Sequence, residues 1–154
     1  GEVIDGVVAY INNPNIKKFI TADPNQYTYE NRFLCVKEAL ETDTLIILSM
    51  FDKQSGCFIG NIDFDNITSD DAEIGIIINE EFQNNHYGQE SLKRFIEYGF
   101  EALKLMEIYL RVYSNNDRAI HLYKNLGFIP YKVEEKVAII NGESVDTIYM
   151  KLHK

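Results

Sequence analysis

Between Gln54 and Leu92 this chain has no lysine or arginine. The same stretch carries Asp63, Asp65, Asp70, Asp71, Glu73, Glu80, Glu81 and Glu90, and over the whole chain 15 basic residues stand against 24 acidic ones, a formal charge of −9. A surface so short of positive charge repels phosphates, which excludes a nucleic-acid partner. It reads either as a solvated acidic face that keeps the protein in solution or as a surface that steers a cationic amine. Long apolar runs are lacking too. None approaches the ~18 residues that a membrane helix needs, and no signal-peptide pattern opens the chain, so no membrane partner and a cytoplasmic location are expected. There are only two cysteines, Cys35 and Cys57, without metal-ligand spacing and within apolar patterns, and they read as reduced core thiols. The three histidines, His86, His121 and His153, have no mutual ligand spacing, so no metal is expected. No repeat, low-complexity tract or linker interrupts the 154 residues, which predicts one domain over 1–154 with a real core.

The periodicities outline the elements. Tyr29, Phe33, Val36 and Leu40 recur at helical spacing after a cap at Thr28, predicting a helix over about 28–42. The runs 44–51 and 57–64, joined by DKQSG, read as a hairpin. The run IGIII predicts a central strand over 72–79, buried on both faces. Leu92, Phe95, Ile96, Gly99, Phe100 and Leu103 line one face of the following helix. Residues 107–113 alternate as a strand, Ala119, Leu122, Tyr123 and Leu126 mark a last helix, and Gly127 is its natural stop. The closing INGESVDTIYMKL reads as a hairpin around a polar NGES turn. The three prolines, Pro14, Pro24 and Pro130, fall at turns or strand starts. This order predicts an α+β fold: a mixed, mostly antiparallel twisted sheet, flanking helices, and one parallel crossover over 72–113.

Two segments carry chemistry. The turn EEFQNNHYG (80–88) sets free backbone N–H groups at a helix N-terminus, where an anion binds without a positive side chain. In SNNDRAIHLYKNLGF (114–128), Asn116 stands at a helix cap with Tyr123 two turns in. Asn116, Ala119, Tyr123, Gly127 and Phe128 match N-x-x-A-x-x-x-Y-x-x-x-G-F, while Gln83 and Gly88 match the ends of Q/R-x-x-G-x-G/A. Over roughly 10–152 the chain therefore resembles the GNAT-superfamily N-acetyltransferases, most of all the branch of spermidine and ribosomal-protein N-terminal acetyltransferases.

The resemblance implies a GNAT fold with a central splayed strand pair, and acetyl-CoA as cosubstrate. It implies that the pantetheine arm pairs with the backbone of Ile76, Ile77 and Ile78. The phosphates would lie on the turn Gln83, Asn84, Asn85, His86, Tyr87, Gly88 and Gln89, with Asn116 also on the cofactor. His86 departs from the motif's middle glycine, and Asn84 and Asn85 stand where glycine and a basic residue are common. Asn and His tolerate positive φ better than bulky or branched residues, so the turn can still form. The first strand usual in the family is not recognisable in the opening GEVIDGVVAYINNP, which reads as a short helix or irregular segment.

Attack of an amine on a thioester needs a neutral nucleophile and a proton for the departing thiolate. The resemblance makes Tyr123 the general acid, against its plain reading as a core tyrosine. Glu73 is the candidate base, against a solvated strand-end carboxylate. Asp63 and Asp65 suit a substrate ammonium better than the base role. His86 is read as touching phosphate or solvent, and His121 as facing solvent. The expected reaction is direct acetyl transfer from acetyl-CoA to a primary amine, small-molecule or peptide, in a ternary complex. Polyamines are one acceptor class; protein N-termini, aminoglycosides and amino-sugar nucleotides stay open, as does homo-oligomerisation. The other reading is a non-catalytic module binding acyl-CoA or a protein partner on a degraded GNAT fold.

Overall fold

A computed structural model describes residues 7–9, 11–21 and 28–154. The turn expected around Pro24 lies outside them. Ahead of the sheet come helical residues at 7–9 and 11, and α1 (Pro14–Lys17), capped by Asn13, whose side chain accepts from the Asn15 amide. No strand precedes residue 46 among the described residues, so the opening is helical there, as its sequence suggests. Val7, Ile11 and Ile16 form a small cluster with Ile20, Phe58 and Ile77. Asn13 and Asn15 both donate to the Glu80 carboxylate, at 2.8 and 3.0 Å, pinning this segment to the exit of the central strand.

Helix α2 (Tyr29–Glu41) begins at Thr28, whose hydroxyl accepts from the Asn31 amide at 3.2 Å. Then come β1 (Ile46–Phe51), β2 (Phe58–Asp65), β3 (Asp71–Ile78), a 3₁₀ turn (Glu80–Phe82), α3 (Tyr87–Glu101), β4 (Glu107–Tyr113), α4 (Asp117–Asn125), β5 (Ile129–Ile140) and β6 (Glu143–His153). The six strands form one mixed sheet in the order β1-β2-β3-β4-β6-β5, in which only β3 and β4 run parallel. The β5–β6 turn rests on Asn141 and Gly142, at φ 53° and 81°, the pair that a two-residue hairpin turn favours.

Alternation along the strands sorts the sheet into two faces. Ile62, Phe64, Ala72, Ile74, Ile108 and Leu110 share one buried core with Leu92, Phe95 and Ile96 of α3, and Phe64 stacks on Phe95 at 4.2 Å between ring centroids. Gly99 permits this approach, since a Cβ there would lie 2.8 Å from the Phe64 ring. Asn61, Asp63, Glu73, Tyr109 and Arg111 alternate with those apolar residues and occupy the opposite face, on the side of α2. Burial of β3 on both faces is therefore not what forms. Ala72 and Ile74 are buried under α3, while Glu73, Gly75 and Ile77 are only half-buried on a face that polar chemistry keeps open. The cysteines also differ from expectation. Cys57 is exposed because it lies in the β1–β2 turn, where its carbonyl accepts from the Asp52 amide. Cys35 is half-buried because α2 buries none of its residues.

Candidate active site

The site grows from a ladder that stops early. β3 and β4 pair only through Asp71–Glu107, Ala72–Ile108 and Glu73–Tyr109, after which β4 continues to Tyr113 along β6 and β3 to Ile78 along β2. The result is a gap between two parallel strands at their C-terminal ends. The Asn79 amide donates to the Ile59 carbonyl, and alternation along an antiparallel pair then turns the groups of Ile77 toward β2. Ile76 and Ile78 are thus the residues whose backbone faces the gap, and Ile77 is not. The Ile78 carbonyl accepts from the Gln83 side chain at 3.0 Å, which fastens the following turn to the strand end.

In that turn Asn84 and His86 hold φ values of 65° and 63°, the left-handed conformation that glycine would otherwise supply. Their short polar or ring side chains are exposed, so they meet no obstacle there. His86 caps α3 without a side-chain bond, leaving the first-turn amides directed out of the helix. One contact has no counterpart in the sequence pattern: the Tyr87 hydroxyl donates to Asp52 at 2.8 Å, tying the turn to the β1–β2 hairpin. The Asp52 carboxyl also accepts from the Ser55 hydroxyl and amide and from the Gln54 amide. Those bonds, led by the hydroxyl of Ser55, lower it to about 2.

Across the gap stands α4. Asn116 Oδ1 accepts from the Ala119 amide at 3.2 Å, a helix cap. At the other end Gly127, at φ 98°, lets the Phe128 amide reach the Tyr123 carbonyl at 3.0 Å and its own amide reach Lys124 at 3.0 Å. These are the two bonds of a Schellman stop. The rings of Tyr123 and Phe128 meet edge to face at 5.9 Å. Burial first, and the charge of Asp63 second, push the Tyr123 phenol up to about 12.

Asp63 is the unexpected member. Its carboxylate lies over Gly75 of β3, where a Cβ would sit 2.8 and 3.1 Å from its two oxygens. Burial, then the neighbouring Asp65 and Glu73, raise it to about 6 against the lowering influence of Arg32. It accepts no hydrogen bond among the described residues. Glu73 is placed differently: Oε1 accepts from Arg111 Nε at 2.6 Å, with 14% of its side chain exposed. It is not a freely solvated strand-end carboxylate, because one oxygen is committed to a guanidinium.

Comparison with known proteins agrees with this geometry. Residues 3–129 match the acetyltransferase (GNAT) domain family model. The chain belongs to the GNAT acetyltransferase family. A spermidine N(1)-acetyltransferase of Escherichia coli K12 is 38% identical over 82 residues, which span 51% of this chain and 42% of the relative. This GNAT chain thus matches less than half the length of that protein. Acetyltransferase PseH of Campylobacter jejuni is 29% identical over 128 residues, 83% of this chain and 78% of the relative. The crystal structure of spermidine N-acetyltransferase from Vibrio cholerae in complex with CoA and spermine superimposes with a TM-score of 0.88 at 25% identity, covering 99% of this chain and 90% of that one.

Of the GNAT motif residues expected from sequence, Ile76 and Ile78 lie at the end of β3 with Gln83 bonded to that end, 84–89 form the turn into α3, and Asn116 and Tyr123 belong to α4, whose Leu122 comes near Gly88. Glu73 stands earlier on β3, in its ion pair with Arg111. His86 and His121 are exposed. The pairing of Asp63 with Gly75 and of Glu73 with Arg111 depends on strand register, which one strand's sequence does not contain.

Proposed function

We propose that this chain transfers the acetyl group of acetyl-CoA to a primary amine by direct attack within a ternary complex. The observation that carries this reading is the gap between β3 and β4, with a neutral phenol on one side and a raised carboxylate near it. Asp63, rather than Glu73, takes the proton from the incoming ammonium: at pH 7 it is mostly ionised yet basic enough to accept, whereas Glu73 is already held by Arg111. Tyr123 stays protonated at any ordinary pH and donates to the CoA thiolate as the C–S bond breaks. The amides of Asn84 through Gln89 and the α3 N-terminus receive the phosphates, and Ile76 and Ile78 receive the pantetheine arm. Asn116 uses Oδ1 on its cap, so a contact with the cosubstrate falls to its Nδ2. A cytoplasmic location fits a reaction fed by acetyl-CoA.

The acceptor is a small molecule that carries a primary ammonium group. The spermidine acetyltransferases among the relatives, and the acidic groups Asp63, Asp65 and Glu73, make polyamines the first class to test. The non-catalytic alternative draws on the missing glycine and on the lack of basic residues in the turn. Asn84 and His86 supply the conformation that glycine would give, which answers the first of these.

The test is thiol release in single turnover from acetyl-CoA with pooled primary amines, alongside the melting temperature. Saturation at 100 times the dissociation constant stabilises a protein by about 2.7 kcal/mol. Stabilisation with thiol release supports the reading; stabilisation without thiol for any amine class makes the chain a binding module.

A further inference from the structure

Among the described residues, two buried side-chain atoms lack a hydrogen-bond partner: Arg32 Nε and Asn61 Oδ1. Both residues line the same cavity, of about 430 Å³, between α2 and the polar face of β1 and β2. Apart from Ser49, its other walls are apolar: Val36 and Leu40, one and two turns from Arg32 on α2, with Leu45 and Ile47 below. Burying a donor or an acceptor unpaired costs about 1–3 kcal/mol, so two such atoms of opposite kind in one cavity are unusual. Asn61 is 6% exposed, and its amide belongs to the face that also carries Asp63, two residues along β2. Arg32 is the leading opposing charge on Asp63, yet no ion pair joins them among the described residues. A guanidinium in the cavity wall and a carboxylate two residues along β2 from Asn61 thus influence each other with no ion pair between them.

A polyamine leaves this arrangement unused. It offers donors alone, so Arg32 Nε would stay unpaired and its charge would oppose a second ammonium. A zwitterion fits it. We propose that the acceptor is an α-amino acid with an apolar side chain: its ammonium lies between Asp63 and Asn61 Oδ1, its carboxylate accepts from Arg32, and its side chain fills the cavity beneath α2. This inference rests on the acetyl-transfer reading and names the acceptor of that same site. The reaction balances: one ammonium proton goes to Asp63, the neutral amine nitrogen forms its bond to the acetyl carbon, the C–S bond breaks as the thiolate takes a proton from Tyr123, and the second proton shed by the nitrogen restores the Tyr123 phenol.

The experiment compares kcat/KM for L-leucine and L-phenylalanine with that for their decarboxylated counterparts, isoamylamine and phenethylamine, and for spermidine. Losing a hydrogen bond to a charged group lowers the rate constant by roughly tenfold to a hundredfold, so wild type should prefer the amino acids over the decarboxylated amines by that factor. Arg32→Gln should collapse the ratio toward one. A ratio near one in wild type, a ratio untouched by Arg32→Gln, or a preference for spermidine overturns the proposal and leaves acetyl transfer standing. Thermal stabilisation by L-leucine is read separately. If no amine releases thiol but leucine stabilises wild type and not Arg32→Gln, the cavity assignment holds and acetyl transfer fails. If leucine gives neither, the cavity assignment falls.

Discussion

The two faces of the sheet are made by the same strands, one residue out of step, and they do opposite work. On one, Phe64, Ile74, Ile108 and Leu110 are 0–4% exposed and close against α3 into the continuous core. On the other stand Asn61, Asp63, Glu73 and Arg111, and the helix over Asn61 buries none of its own residues. The first face gains stability from area removed from water, about 25 cal/mol per Å². The second gives some back, since a half-buried carboxylate and two unpaired polar atoms cost free energy wherever nothing binds them. The period of two in a strand thus separates what holds the fold from what reacts, and a shift of one residue in register would exchange them.

Tyr123 joins the two faces, and its substitution should have the largest effect. Tyr123→Phe is expected to lower kcat by roughly 10²- to 10⁴-fold while leaving acetyl-CoA affinity nearly unchanged, since the phenol donates only as the thiolate departs. Its ring stays packed on Phe128. Steady-state rates together with cosubstrate titration check this, and wild-type turnover would make Tyr123 a packing residue.

On the apolar face, Phe64→Ala removes a ring stacked on Phe95 and should destabilise by about 3–5 kcal/mol in urea unfolding. A loss under about 1 kcal/mol would mean that the core is not organised around that ring.

Asp63→Asn inverts the sign. Asp63 holds its proton more tightly in the folded chain than the ordinary 3.8, so the stability it lends is full below that pH and is lost as pH rises through about 6. Asparagine cannot ionise, so at pH 8 the variant should be the more stable by roughly 2–3 kcal/mol, and the gap should close toward pH 4. In activity the acid limb of kcat/KM near pH 6 should vanish with most of the rate. A variant less stable at pH 8 would show that the carboxylate is well compensated.

The smallest effect concerns the phosphate turn, which has no basic residue. Asn85→Lys should tighten acetyl-CoA by about two- to fivefold at low ionic strength, and the gain should disappear near 1 M salt, where the screening length is ~3 Å. Unchanged affinity at low salt would place the phosphates elsewhere.

Much of this was legible in the sequence where local rules decide. The alternation over 107–113 matches β4, Asn116 caps α4, and Gly127 stops it where a left-handed residue was needed. The motif residues fall on β3, the turn into α3, and α4, because short-range spacing places them on elements whose crossover is constrained. What escaped is long-range. Nothing in the strand of Glu73 shows that Arg111 lies beside it. Asp63 reads as a partner for the substrate ammonium, and the Gly75 beneath it that shapes its surroundings lies on another strand. The cavity under α2 needed Arg32 and Asn61, 29 positions apart, to be brought together by tertiary packing.

Helix α2, with no buried residue, has a consequence in time rather than in space. Segments held by few apolar contacts open with a free energy well below that of the whole molecule. The amides of α2 should therefore exchange with solvent through local opening while those of α3 wait for global unfolding, so the cavity needs no separate gate. An acceptor that bridges Arg32 to Asn61 also orders the helix above it, and the entropy lost in that ordering is subtracted from its affinity. The rank of competing amines is then set by how well each one quiets α2, as much as by the bonds it forms.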